Sequence, residues 1–94
     1  MAQDKEYSVT YHPRVYDELA KLDFFWQDEI LFAVEGKLMA RPAFFGKPLR
    51  RTLKGCWALR VGDYRIVYRI EAKTIRILAV IHRSSDYKGV GKRI

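Results

Sequence analysis

Leu53-Lys54-Gly55-Cys56-Trp57-Ala58-Leu59-Arg60-Val61-Gly62-Asp63-Tyr64-Arg65-Ile66-Val67-Tyr68-Arg69-Ile70 reads as two β-strands joined by a Gly-Asp turn. Strand side chains alternate between two faces. Trp57, Leu59 and Val61 face one way, and Ala58 and Arg60 the other. Across the turn, Tyr64, Ile66, Tyr68 and Ile70 alternate with Arg65, Val67 and Arg69. Arginines therefore collect opposite the apolar face, with Asp63 as the one carboxylate in the run. A sheet face of unpaired guanidinium groups is costly to build for structure alone. It points to a polyanion lying across it.

Working outward, Tyr7 to Tyr11 alternates apolar and polar residues and is rich in β-formers, which predicts a strand. Proline suits the first turn of a helix, so Pro13 can open one. Val15, Leu19 and Leu22 share one face of that helix. Asp23 is the expected N-cap of a second helix, from about Phe24 to Ala40, with Ile30, Val34 and Leu38 as its apolar stripe. Gly36 weakens this helix by about 1 kcal/mol relative to alanine, and it would allow close packing on a sheet. Arg41-Pro42 ends the helix. Lys47 to Leu53 reads as a short strand or extended arm. After the hairpin, a tight Glu71-Ala72-Lys73 turn leads to a last strand, Thr74 to His82. That strand has Ile75, Ile77, Ala79 and Ile81 on one face and Leu78 and Val80 on the other. Apolar residues on both faces predict a central strand. Gly89 to Ile94 reads as a short mobile tail. The order β-α-α-β-β-β implies an α+β class, with an N-terminal helical hairpin packed on one face of a mainly antiparallel sheet.

Ninety-four residues suit one domain, 1–94, with a single modest core. A 49% apolar and 14% aromatic composition argues against disorder. No apolar run approaches the roughly 18 residues needed to span a bilayer, so no membrane partner is expected. Met1 to Glu6 lacks the apolar stretch of a signal peptide. A single cysteine, Cys56, excludes an internal disulfide or a multi-cysteine zinc site. It reads as an inert buried thiol in a reducing cytoplasm. No cofactor motif, metal constellation or phosphate-binding glycine loop is present.

The net charge of +7 is unevenly spread. Residues 1–40 hold four Lys/Arg against eight Asp/Glu, a net −4, while residues 41–94 hold fourteen against three, a net +11. A solvated basic surface would also give this total. The split favours a nucleic-acid-facing second half carried by a first half that stays off the phosphates. Arg60, Arg65 and Arg69 lie on the polar face of the hairpin. Arg50, Arg51 and Lys54 enter from the preceding arm, and His82, Arg83, Tyr87 and Lys88 leave from the last strand. Ordinary cross-strand ion pairing would need carboxylates, and Asp63, Glu71 and Asp86 are too few for it.

Lys54-Gly55-Cys56-Trp57-x-Leu-Arg-Val-Gly-Asp-Tyr-Arg-Ile-Val-Tyr, followed by Ile81-His82-Arg83-x-x-x-Tyr87, resembles the RelE/ParE superfamily of bacterial toxin–antitoxin toxins. The resemblance runs from Tyr7 to Tyr87, includes the element order, and leans to the RelE branch of ribosome-dependent mRNA endonucleases. It implies that Arg65 contacts the scissile phosphate, that Arg83 assists the leaving oxygen, and that Tyr87 stacks on or orients the RNA. Arg60 falls where that branch carries a lysine. Ala58 falls where it carries a second lysine, which is the main departure, and His82 or Lys54 would have to substitute. Arg50, Arg51, Lys54, Arg69 and Lys88 are the expected RNA-binding positions. The implied partners are mRNA, the ribosome with its RNA, and a cognate antitoxin, whose acidic segment would find the +11 half complementary.

The chemistry agrees with these residue types. RNA is cut when its own 2′-OH attacks the adjacent phosphate, and an enzyme need only align the chain and stabilise the added negative charge. Arginine does both, since its planar fork matches phosphate oxygens. It is a poor proton carrier, with a pKa above about 12. His82 would serve better as acid or base, although a strand-end histidine also has an ordinary structural reading. Two other functions fit: a ParE-type gyrase poison that cuts no RNA, which Ala58 favours, and a non-catalytic RNA-binding module.

Overall fold

His12 begins the first helix with its side chain. Its Nδ1 accepts from the Arg14 N–H at 3.1 Å, and Pro13 follows at the first helical position. The computed structural model describes residues 7–94. The expected absence of a signal peptide at Met1–Glu6 lies outside these residues. Helix α1 spans Pro13–Ala20 and α2 spans Phe24–Ala33. Asp23 caps α2 as expected, accepting from Trp26 N–H at 3.2 Å. Ile30, Val34 and Leu38 are all buried.

The predicted second helix is nevertheless not α-helical to Ala40. Val34–Leu38 widens into a π-turn, closed by Met39 N–H donating to the Val34 carbonyl at 2.9 Å. Gly36 does not pack on the sheet, because a Cβ there would meet nothing within 4 Å. Pro42 ends the helix and opens a single further turn, α3, Pro42–Phe45.

The strands are β1 (Ser8–Tyr11), β2 (Lys47–Pro48), β3 (Cys56–Val61), β4 (Tyr64–Glu71) and β5 (Thr74–His82). They form one sheet in the order β1-β5-β4-β3-β2. Only β1 and β5 run parallel; the other neighbours are antiparallel. The α+β class and the position of β5 inside the sheet both agree with the sequence.

The helices cover one face of the sheet. Val15, Ile30, Val34 and Leu38 meet Leu59, Ile66, Tyr68, Ile75, Ile77 and Val80, with Trp57 and Tyr64 packed beside them. Cys56, Val67, Leu78 and Ala79 lie on the opposite face, under Leu53 and Val90. The last strand therefore does not alternate uniformly. Val67 pairs with Ala79 and Tyr68 with Ile77, so Leu78 is an extra residue in β5. This β-bulge reverses parity. Ile75 and Ile77 face the helices, whereas Ala79 and Ile81 face away.

The C-terminal segment is docked. Val90–Arg93 forms a 3₁₀ turn with Val90 only 2% exposed. Beyond Ile77, β5 has no β1 partner. Glu18 accepts from Val80 N–H at 2.9 Å, and Arg93 donates to the Leu78 carbonyl at 3.0 Å. Glu18 and Arg93 lie 2.8 Å apart. The two side chains satisfy a strand edge that would otherwise leave buried backbone groups unpaired.

At the tip of the β3–β4 hairpin, Gly62 has φ +56°, and a Cβ there would overlap the Trp26 ring. Trp26 also meets Tyr64 edge-on at 5.3 Å. The hairpin tip is thereby pressed against α2.

Burial pushes the Tyr68 phenol well above its usual 10.0 and raises Cys56 above 9.0; Tyr11 rises through burial, then the Glu35 charge. A raised value favours the neutral form in the folded state, so these contributions are intact below the unfolded values. They are lost as pH rises beyond them toward the folded values. Stability to urea should therefore decline above about pH 9–10. Urea midpoints across pH 8–12 measure this, and Tyr68→Phe should flatten the slope.

Candidate active site

Arg60 and Arg65 are direct partners across the β3–β4 ladder. Like charges facing each other there are unfavourable by roughly 0.2–1 kcal/mol. Among the described residues neither has a carboxylate within ion-pair distance. Arg60 Nε donates to the Gly62 carbonyl at 3.2 Å, and Arg65 Nη1 donates to the Arg83 carbonyl at 3.2 Å. The Arg65 guanidinium carbon also lies 6.0 Å from the Tyr87 ring centroid, at the outer limit of a cation–π contact. Both guanidiniums keep donors free for an anion.

These residues line a groove of about 580 Å³. Ala58 and Leu59 belong to it, with Arg60, Arg65 and Tyr87. Phe45, Lys47, Pro48 and Leu49 complete the other side. The groove lies on the sheet face away from the helices, at the hairpin-tip end.

The expected site residues are only partly gathered here. Arg60, Arg65 and Tyr87 come together. Arg83 adjoins through its carbonyl, while its Nε lies 3.6 Å from Asp63 Oδ1. This pair is half exposed, so solvent screens it and it holds Arg83 only weakly. His82 lies elsewhere. The bulge at Leu78 turns it to the helix side, where it meets Tyr64 edge-on at 5.3 Å. Its Nδ1 is 2.8 Å from Ser84 Oγ.

Arg69 shares the face of Arg65 but sits four residues along, about 13 Å away. Its Nε is 3.4 Å from Glu71, which also pairs with Arg76 at 3.1 Å. Arg50, Arg51 and Lys54 are exposed around the 3₁₀ turn Arg51–Leu53, outside the groove lining. Lys88 lies beyond Tyr87, in a cleft of about 440 Å³ shared with His12, Arg14, Gly89, Lys92 and Arg93.

Sequence reasoning missed Phe45, Lys47 and Leu49. Lys47 was legible only as part of an arm. Its place depends on the pairing register of β2 with β3, which no local pattern records. Among the described residues, no three His, Cys, Asp or Glu side chains cluster to hold a metal ion.

Comparison with known proteins identifies the scaffold that carries this groove. The family model described as ParE toxin of type II toxin-antitoxin system, parDE, matches residues 9–87. The chain is 32% identical to Toxin RelE of Mycobacterium tuberculosis over 90 residues, covering 94% of this chain and 93% of that protein. It is 47% identical to Toxin RelG of the same organism over 55 residues, covering 56% of this chain and 63% of RelG, less than two thirds of that relative. The fold is similar to a chain of the toxin–antitoxin complex RelBE2 from M. tuberculosis. The TM-score is 0.79 at 34% identity, over 88% of this chain and 98% of that one. The basic groove thus stands on the scaffold of known toxins, and the chain belongs to the RelE/ParE superfamily of type II toxin–antitoxin toxins, on its RelE-like side.

Proposed function

We propose that this chain, as a single domain, is a toxin that inhibits translation by cutting mRNA on the ribosome, in the cytoplasm. The opposed pair Arg60 and Arg65, unneutralised beside Tyr87, carries the reading. A phosphodiester laid along the groove would take Arg65 on its non-bridging oxygens. Arg60 would hold a neighbouring phosphate, and a base would stack on Tyr87. Arg83, freed from its exposed pair with Asp63, would reach the departing oxygen. The 2′-oxygen attacks phosphorus and the P–O5′ bond breaks, leaving a 2′,3′-cyclic phosphate and a 5′-OH. Alignment and charge stabilisation are what a guanidinium site supplies to this step.

The partner would be an antitoxin, as the similarity to a chain solved within a toxin–antitoxin complex suggests. An acidic segment would be drawn to the basic half.

The test is a translation mixture with ribosomes. Addition of the protein should shorten mRNA and leave cyclic-phosphate ends. Free RNA without ribosomes should stay intact. The match to a ParE family model favours one alternative, a gyrase poison. Intact transcripts with arrested gyrase supercoiling would establish that alternative instead, and RNA binding with neither effect would leave a non-catalytic module.

A further inference from the structure

We propose that Lys47 supplies the catalytic ammonium that position 58 lacks, contacting the scissile phosphate from the neighbouring strand; this rests on the nuclease reading above. Lys47 and Ala58 are direct partners in the antiparallel β2–β3 ladder. Residues opposed in this way project to the same face, with Cβ atoms about 4.5–5.5 Å apart. Both line the groove that holds Arg60, Arg65 and Tyr87.

The alanine methyl leaves the groove floor low between Lys47 on one side and Val67 on the other. A lysine stem is long and flexible and lies well along apolar surface. Phe45, Pro48 and Leu49 provide that surface. Lys47 itself is exposed and, among the described residues, has no carboxylate within ion-pair distance.

The two substitutes suggested by sequence are poorly placed. His82 faces the helices, and Lys54 is outside the groove lining. Arg60 and Arg65 flank the site from β3 and β4. Lys47 approaches from β2, so the three cations would surround an anion above Ala58.

In the reaction the 2′-OH loses its proton to water, and its oxygen bonds to phosphorus. The P–O5′ bond then breaks, and the departing oxygen takes a proton from water. The phosphoryl oxygens carry one more negative charge in the transition state than in the substrate. A positioned ammonium beside them lowers the barrier to this step.

Single-turnover cleavage of a defined mRNA on purified ribosomes, measured over a range of ribosome concentrations up to saturation, tests the assignment. Lys47→Ala should slow cleavage about 10²-fold without changing the melting temperature. Lys47→Arg should retain most of the rate. Moving the amine across the ladder, in the double variant Lys47→Ala with Ala58→Lys, should recover at least tenfold. Wild-type cleavage by Lys47→Ala, a loss confined to KM, or no recovery in the double variant would each overturn the assignment. A wild-type protein that cuts no mRNA would instead overturn the nuclease reading, and this inference with it.

Discussion

Replacing Arg65 with alanine should lower ribosome-dependent mRNA cleavage by about 10²–10³-fold while leaving the fold intact. The fold asks little of Arg65. It pairs with no carboxylate among the described residues, and its hydrogen bond goes to the Arg83 carbonyl on an exposed loop. Removing the guanidinium returns that carbonyl to water, so the structural cost should stay within about 0.5 kcal/mol. The catalytic cost is larger, because a preorganised donor pair on the phosphate would be lost. Arg65→Lys should fall between the two, keeping charge but losing the planar fork. Arg69→Ala is the control on the same sheet face. Its side chain is engaged with Glu71 at the far end of β4, so cleavage should continue. Equal losses at Arg65 and Arg69 would mean that the whole face, and not the groove, is the functional unit. Single-turnover rates with parallel thermal melts measure both quantities.

The sequence was most legible where side chains alternate without interruption. Trp57, Leu59 and Val61 could be set apart from Ala58 and Arg60 by period alone, and the structure packs all three into the helix-side core. The same logic failed in β5. Ile77-Leu78-Ala79-Val80-Ile81 is apolar throughout, so an extra residue leaves no mark in the pattern. That one residue decides the side on which His82 emerges. Without the bulge it would face the groove; with it, it meets Tyr64 edge-on.

The tail was illegible for another reason. Gly89 to Ile94 looks polar and loose, yet Val90 fills the second core and Arg93 meets Glu18 from a remote part of the chain. A contact of that range has no local signature. Lys47 lies between the two cases. Its arm was visible, but its register against Ala58 was not.

The groove also depends on a buried residue that never touches it, Tyr68. This side chain is fully buried in the first core, and its hydroxyl donates to the Pro42 carbonyl at 2.6 Å. Pro42 begins α3, the turn that ends at Phe45 just before Lys47, and both of those residues line the groove. Gly46 lies against the Tyr68 hydroxyl so closely that a Cβ would overlap it. Tyr68 therefore fixes where the chain leaves α3 and enters β2. Tyr68→Ala should remove about 3–5 kcal/mol of stability through cavity formation. At about 4–8 °C per kcal/mol for a domain of this size, the melting temperature should fall by more than 10 °C. Tyr68→Phe separates the two roles. It keeps the ring and loses only the hydroxyl's hydrogen bond, at a cost of about 0.5–1.5 kcal/mol, since the Pro42 carbonyl still accepts from Gly46 N–H at 3.3 Å. Its folded state should bind RNA as before but cut more slowly, because the turn that leads into Lys47 is held less firmly, by the Gly46 N–H bond and the ladder to Ala58 alone. Full activity in folded Tyr68→Phe would show that β2 is positioned by its ladder to β3 alone.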